Sequence, residues 1–143
     1  MTLAPIDLLA SVVHLRPGGT IHAGPRAPVP EPDGGGWRLR ACHARTDADV
    51  HAGRWQVHPE AEEIVSCLIG KIRLHLRPER PGRQEEVIRL GAGTAAIVPR
   101  GRWHRIGLDT PSTVLAVTLP DGTRLEDPAR ARDRTATPKA GRR

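Results

Sequence analysis

The amino-acid sequence predicts an all-β fold in which short strands form a sandwich or a barrel. The 143 residues include 15 Gly and 14 Pro, about one residue in five, and this composition disfavours long helices. About eight short apolar or alternating segments follow one another, with turn residues between them. The length is near the commonest size of one domain, so we expect a single β-domain with an N-terminal arm and a C-terminal tail.

Residues 1–36 are expected to form the N-terminal arm. Residues 5–13 are predicted to form one or two helical turns, with Asp7 near the start. Residues 18–36 contain many Gly and Pro and have almost no periodic apolar pattern. They are therefore predicted to be a long loop that lies over the domain.

The β-domain is predicted to span residues 37–120. Its first strand alternates strictly, and the face that we expect to point inward carries Trp37, Leu39, Ala41 and His43. Arginines occupy the other face of this strand. The predicted strands, taken in order, are 37–44, 54–58, 63–69, 71–76, 86–90, 94–98, 103–108 and 113–119.

The excess positive charge of the chain lies at its C-terminal end. The chain has a formal net charge of +6, from 22 Lys and Arg against 16 Asp and Glu. Residues 128–143 hold six of the basic residues and one acidic residue, and they contain no Leu, Ile, Val or aromatic residue. Because such a segment cannot bury enough apolar surface to fold, residues 121–143 are predicted to be a disordered basic tail. The nearly neutral domain predicts no specific nucleic-acid binding.

The sequence also argues against a membrane or secreted location. No apolar run approaches the roughly 18 residues that a membrane span needs. The N-terminus lacks a basic start and a long apolar stretch, so no secretory signal is expected. Cys42 and Cys67 cannot form a disulfide framework, and free thiols are typical of a reducing cytoplasm.

A four-residue pattern near the middle of the chain matches a known family motif. Gly93, Pro99, Gly101 and His104 are spaced as G-x5-P-x-G-x2-H. The glycines and the proline suit a turn and a hairpin corner, after which His104 enters the next strand. This spacing resembles the second sequence motif of the cupin superfamily.

The first cupin motif, G-x5-H-x-H-x3,4-E-x6-G, is recognisable just upstream. His58, Glu63 and Gly70 occupy its second histidine, glutamate and final glycine positions, while Gln56 stands where the first histidine belongs. Only 22 residues separate Gly70 from Gly93, as in small single-domain cupins. The chain therefore resembles a small cupin, and the resemblance implies a jelly-roll β-barrel. Another register, in which His58 and Glu60 form the H-x-H pair, loses the spacing to Glu63.

The resemblance implies a divalent metal ion (Zn, Mn, Fe, Ni or Co) held by Gln56, His58, Glu63 and His104. Strand parity agrees, because Gln56 and His58 share a face and residues from distant strands converge inside a barrel. An amide is a weaker ligand than an imidazole, but cupin-type phosphomannose isomerases are similar in placing a Gln-x-His pair around zinc. The other interpretation is that these side chains only bond to one another in a polar interior.

Two residues are candidates for moving a proton, and others flank the site. Glu63 is the first candidate, and His43 is the second, either as an acid or base or as part of the pocket wall. Three arginines flank the metal-bearing strands and are expected either to bind an acidic substrate or to form a solvated rim: Arg54, Arg102 and Arg105. Trp55 and Trp103 have outward parity and are expected to pack against a second sheet or a partner subunit.

The function implied by the resemblance is that of a metal-dependent enzyme acting on a small organic molecule. Lewis-acid and proton-transfer chemistry of the isomerase, cyclase or lyase type is expected, with dioxygenation ranked behind these. The alternative is a non-catalytic cupin that binds a small ligand and has a weakened or absent metal site. Small cupins usually pair, so a homodimer is expected.

Overall fold

The structure, a computed structural model, describes residues 3–26 and 35–127, and these form two antiparallel β-sheets packed face to face. The all-β prediction is confirmed. The described strands are β1 (Ser11–Leu15), β2 (Ile21–Pro25), β3 (Trp37–Ala44), β4 (Trp55–Val57), β5 (Glu63–Ile69), β6 (Lys71–Leu76), β7 (Glu86–Gly91), β8 (Thr94–Val98), β9 (His104–Leu108), β10 (Ser112–Thr118) and β11 (Arg124–Glu126). A single turn of 3-10 helix, Asp47–Val50, follows β3. The described ranges contain no helix long and apolar enough to cross a membrane.

The strand order is that of a jelly-roll-like cupin fold. The first sheet has the order β2-β1-β3-β10-β5-β8, and the second has the order β11-β4-β9-β6-β7. From β3 onward the chain passes back and forth between the two sheets, which remain two separate sheets rather than one closed barrel. The eight predicted strands correspond to β3 to β10, and no end differs by more than one residue.

The prediction for the N-terminal segment is wrong where the structure describes it. Residues Ser11–Leu15 and Ile21–Pro25 form a hairpin, and its first strand pairs with β3, so the hairpin extends the first sheet. Burial of apolar surface supports this pairing, since the adjacent Val12 and Val13 of the first strand are both buried. Gly18 and Gly19 adopt positive φ angles of 89° and form the turn. Residues 27–34 lie outside the described residues.

The disordered tail was predicted to begin at residue 121, but the ordered structure continues beyond that point. Residues 124–126 form β11, which pairs with β4 and buries Glu126 against the domain. A strand of three residues is too short to show a period in the sequence, and backbone pairing with β4 holds it in place. Residues 128–143 lie outside the described residues, so the tail prediction there is untested.

An aliphatic core fills one end of the space between the sheets. Val65 and Cys67 of the first sheet pack there against Ile72, Leu74 and Leu90 of the second. Cys67 is a free, fully buried thiol that packs in this core as a small apolar side chain. Gly70 makes the crossing between the sheets, with a φ angle of +96°.

The inner face of β3 is the opposite of the one expected. The Thr118 hydroxyl donates a hydrogen bond to the Glu63 carboxylate, so both residues point between the sheets. Thr118 is paired directly with Arg38, and paired residues of neighbouring strands share a face. Arg38, Arg40 and Cys42 therefore face inward. The prediction that Trp37, Leu39, Ala41 and His43 face inward is wrong.

Candidate metal centre

Three separate elements bring the predicted ligands together. Glu63 is the first residue of β5, His104 is the first residue of β9, and His58 follows β4 directly. The hairpin corner at Gly101 is tied to the same place, because its N–H donates to the His58 carbonyl oxygen at 3.0 Å. One ligand atom from each of His58, Glu63 and His104 lies within 4.8 Å of the others.

The contacts within this cluster are short and buried. Glu63 Oε1 lies 2.8 Å from His104 Nε2, and Glu63 Oε2 lies 2.9 Å from His58 Nε2. Thr118 Oγ1 donates to Glu63 Oε2 at 2.5 Å. The exposed fractions of His58, Glu63 and His104 are 5%, 3% and 0%. Water is thus largely excluded from the point where the three side chains meet.

Hydrogen bonds on the far side of each ring set the direction of its free nitrogen. His104 Nδ1 lies 2.9 Å from the Arg102 carbonyl oxygen, which can only accept, so Nδ1 carries the proton. In neutral His104 the lone pair is therefore on Nε2 and points at Glu63. His58 Nδ1 shares a hydrogen bond with Thr123 Oγ1 at 2.8 Å. His58 Nε2 is buried beside the carboxylate without a hydrogen-bond geometry to it.

Glu63 is the negative group at the centre of the cluster. Burial raises its pKa, but the hydrogen bond with His104 and the charge interactions with His58 and His104 outweigh burial and lower the pKa from 4.5 to about 2. The carboxyl group is therefore ionised at neutral pH. An ionised carboxylate facing two imidazole nitrogens calls for a cation between them, either a proton or a metal ion.

The three side chains fit a divalent metal ion. Two imidazole nitrogens and one carboxylate oxygen are the donors that zinc and its neighbours take in proteins. His58 Nε2 is buried and has no hydrogen-bond partner among the described residues, so it could serve as a ligand atom for such an ion. Metal-binding histidines typically hold the ring nitrogen that faces away from the metal in a hydrogen bond, as Nδ1 of His58 and Nδ1 of His104 are held here.

Gln56 lies beside this cluster, as the motif predicted. It pairs across the sheet with His104, and the two side chains share the inner face. Gln56 is half-buried, so it lies between the buried ligands and more accessible surface. Its role as a fourth ligand stays a prediction.

His43 does not join the site. It lies on the outer face of the first sheet, exposed, and its Nδ1 shares a hydrogen bond with Thr113 Oγ1 at 3.0 Å. The expectation failed because the alternation of β3 shows two faces but does not show which one is inside. His43 is therefore too far from the cluster's inner face to act there as an acid or base.

The flanking arginines and tryptophans are engaged elsewhere. Arg54 pairs with Asp127, Arg102 pairs with Glu79 and Glu86, and Arg105 pairs with Glu85. The two tryptophans, Trp55 and Trp103, do lie outside the inter-sheet space, where both contact the Arg77 guanidinium.

Sequence reasoning missed the two threonines that orient the site. Thr118 holds the Glu63 carboxylate, and Thr123 holds the His58 ring. Thr118 could have been found by placing it opposite Glu63 across the β10 and β5 pairing. Thr123 lies in a turn outside both motifs, and nothing in the sequence marks it.

Comparison with known proteins places the chain near cupins in fold. No family model and no curated protein matches the chain. A cupin-2 domain protein of Shewanella frigidimarina aligns at 15% identity and a TM-score of 0.42, over 63% of this chain and 74% of that one. A double-stranded β-helix protein of Klebsiella pneumoniae aligns at 19% identity and a TM-score of 0.47, over 64% and 73%.

A third similar structure is an enzyme of known activity. Oxalate decarboxylase of Bacillus subtilis, described with Mn(II) centres, aligns at 18% identity and a TM-score of 0.44. The aligned part is 64% of this chain but only 23% of the decarboxylase. Since identities and TM-scores of this size are low, the fold assignment depends on the strand order and on where the two motifs lie.

Proposed function

We propose that the protein is a metal-dependent cupin enzyme that acts on a small organic molecule by Lewis-acid and proton-transfer chemistry. Reactions of the isomerase, cyclase or lyase type rank first, and dioxygenation ranks behind them. The observation that supports this proposal is the buried cluster in which an ionised Glu63 faces two imidazole nitrogens, His58 Nε2 and His104 Nε2. The inclusion of manganese among the possible ions agrees with the Mn(II) centres of oxalate decarboxylase.

In this proposal His58, Glu63 and His104 hold the ion, and Gln56 completes the set. The bound ion would supply a Lewis acid that polarises a carbonyl or enolate oxygen of the substrate. The remaining contributions come from the chain itself. The Arg102 carbonyl oxygen fixes the proton of His104 on Nδ1, and Thr123 orients His58. Burial excludes water, which strengthens every charge interaction in the site.

Glu63 is the acid–base candidate that remains in the proposal. Because its carboxylate is ionised, it can accept a proton at one of its oxygens. Thr118 and His58 contact Oε2, while His104 alone contacts Oε1, so Oε1 keeps a lone-pair site at which a proton could be accepted. The cytoplasmic location is also part of the proposal, and the two free cysteines, Cys42 and Cys67, support it.

The experiment that tests this function follows proton transfer directly. The full-length protein, loaded in turn with Zn, Mn and Co, is incubated in D₂O with a panel of small 2-oxo acids and ketoses. Proton NMR then measures loss of the C–H signals next to the carbonyl group. We expect exchange or conversion of at least one compound, abolished in His104→Ala and preserved in His43→Ala.

The matched control makes the result specific. Both variants remove one imidazole, but His43 is on the outer face and His104 is at the cluster. If the loaded protein binds panel compounds without exchanging or converting any of them, the enzyme proposal is wrong and the non-catalytic ligand-binding cupin replaces it. Equal loss of activity in both variants would also contradict the assigned site.

A further inference from the structure

The inner face of the first sheet is strongly basic beside the candidate metal centre. A row of paired residues crosses five strands on this face: Glu63, Thr118, Arg38, His14 and His22. Arg40 lies two residues from Arg38 on the same face. Among the strand residues of this sheet, Glu63 is the single acidic residue. The charge on this face is therefore not balanced within the sheet.

The arginines of this face lack partners within the described part of the chain. Neither Arg38 nor Arg40 forms an ion pair or a side-chain hydrogen bond there, in contrast with Arg73 and Arg105 on the second sheet and with Arg77, which follows β6. Arg26, which follows β2, has two guanidinium nitrogens, Nε and Nη2, that are buried without a hydrogen bond among the described residues. Buried donors without an acceptor are unfavourable, so an acceptor is expected to come from outside.

The three guanidinium groups also act on one another. Although Arg40 is exposed, desolvation by the surrounding protein, followed by repulsion from Arg26 and Arg38, lowers the pKa of its guanidinium below the usual value. The three cations are thus close enough to interact, and a negative group placed among them would relieve their repulsion. An oxyanion suits this position best, because the guanidinium fork can donate two parallel hydrogen bonds to it.

This basic face lies within reach of the metal centre. Directly paired residues on neighbouring strands are about 5 Å apart at Cα, so Arg38 is about 10 Å from Glu63, with Thr118 between them. Thr118 and Ala116, which lies opposite Arg40, are both half-buried, so the inner surface here is partly open to solvent. A molecule of a few carbon atoms would span the distance from the arginines to the cluster.

We propose that Arg38 and Arg40, with Arg26 behind them, bind the oxyanion group of a small anionic substrate and so present the rest of that molecule to the metal centre. The oxyanion is a carboxylate or a phosphate. This inference rests on the proposed function, since it names the substrate class of the same site. It also explains why β3 directs its charged face inward.

The test is calorimetric titration of the purified full-length protein with malonate, inorganic phosphate and neutral malonamide, with metal content measured on the same samples. We expect one of the two anions to bind, and malonamide to bind far more weakly. Arg38→Gln and Arg40→Gln should each weaken anion binding about tenfold or more, as loss of a charge-assisted contact does. The preferred anion identifies the oxyanion as carboxylate or phosphate.

Two further variants keep the test decisive. Arg89→Gln removes the same charge from an exposed position on the second sheet and should leave binding unchanged. Arg40→Lys retains the charge without the fork and should give intermediate affinity, which excludes general loss of folding as the cause. The inference is overturned if Arg89→Gln weakens binding equally, if malonamide binds as tightly as malonate, or if neither anion binds.

Failure of this inference and failure of the proposed function are distinguishable. If the protein holds stoichiometric metal but binds no anion, or binds it equally well in the Arg38→Gln and Arg40→Gln variants, only the proposed substrate class is wrong. A protein without metal that still binds the anion through Arg38 and Arg40 contradicts the metal-dependent function alone.

Discussion

His104 carries the strongest chemical constraint in the molecule. Its Nδ1 donates to a carbonyl oxygen, and its Nε2 lies 2.8 Å from a carboxylate oxygen that is ionised at neutral pH. In the neutral ring two acceptors would then face each other in a buried place, which is unfavourable. A cation, either a proton or a metal ion, removes the conflict, so the direction of this ring nitrogen makes the cluster a cation-binding arrangement.

Gln56 occupies the position where cupins usually carry the first histidine, so a substitution there tests its contact with the ion. Gln56→His replaces an amide oxygen with an imidazole nitrogen on the same inner face as His104, and so completes the usual cupin ligand set. We expect tighter binding of Co and Ni, about tenfold or more, because imidazole is the stronger ligand for these ions. Competition against a chelator of known affinity measures the change. Unchanged affinity would show that position 56 does not contact the ion.

The three residues of the buried cluster could be predicted from sequence, whereas Thr118 follows only once the strand pairing is known and Thr123 could not be predicted. The motif spacing identified His58, Glu63 and His104, since those residues occupy fixed places at strand ends: His58 directly follows β4, while Glu63 and His104 begin β5 and β9. Thr118 and Thr123 depend on which strands become neighbours, and that is decided by packing across the whole chain. The inward direction of Arg38 was not predicted for a related reason, because it depends on how β3 pairs with β10.

β3 is reversed relative to the usual rule for a half-buried strand. Trp37, Leu39 and Ala41 are outside, and the arginines are inside. Alternation is a local property and was predicted with correct ends, Trp37–Ala44. The choice of face depends on the partner strands, because β10 brings Thr118 opposite Arg38 only when β5 brings Glu63 alongside. The same dependence hid the β1–β2 hairpin and β11, which are held by pairing more than by their own composition.

The turn at Gly70 is too tightly packed to accept a side chain. Gly70 has a φ angle of +96°, and a Cβ atom there would lie 2.3 Å from Ser112 Oγ and 2.6 Å from the Pro111 carbonyl oxygen. Gly70→Ala should therefore destabilise the fold by roughly 3 kcal/mol or more, from backbone strain plus overlap. Gly93→Ala is the control, because Gly93 has a φ angle of +80° with nothing within 4 Å.

Chemical denaturation of both variants separates strain from overlap. Gly93→Ala should lose only about 1 kcal/mol, the strain contribution alone. Equal losses in the two variants would mean that the turn between β5 and β6 relaxes to accommodate the methyl group.

The C-terminal segment is expected to contribute little to stability. Residues 128–143 contain no Leu, Ile, Val or aromatic residue, so their deletion removes no large apolar group. We expect the melting temperature to stay nearly unchanged and any salt-sensitive affinity for nucleic acid to fall. Deletion from residue 121 is the informative comparison, because it also removes β11 and the buried Glu126. A large loss of stability from the shorter deletion would show that this segment docks on the domain.

The outer face of β3, which carries Trp37, Leu39 and Ala41, is one part of the outer face of the whole first sheet. Among the strand residues of the first sheet, the outward positions carry no Asp, Glu, Lys or Arg. Several large apolar side chains are exposed there, among them Ile97 at 66%, Ile21 at 65% and Leu68 at 45%. An uncharged apolar sheet face of this kind is typical of an interface, and a two-fold axis lets one such face cover another.

We therefore expect a homodimer that uses the outer face of the first sheet, in place of the tryptophans that the sequence suggested. Trp55 is buried beneath arginines and has little surface to offer a partner. Light scattering should show a dimer that Ile97→Lys converts to a monomer. Val87→Lys, at an exposed position on the outer face of the second sheet, should leave the dimer intact. A wild-type monomer at high micromolar concentration would contradict this expectation.

The central claim is that His58, Glu63 and His104 hold one divalent ion, and metal content tests it most directly. Elemental analysis of the untagged full-length protein, before and after reconstitution, should find about one ion per chain in the wild type and in His43→Ala. His58→Ala and His104→Ala should abolish stoichiometric metal, while Glu63→Gln should lower affinity without unfolding. A wild-type protein that retains well under one ion per chain even after reconstitution, with all these variants alike, would contradict the claim.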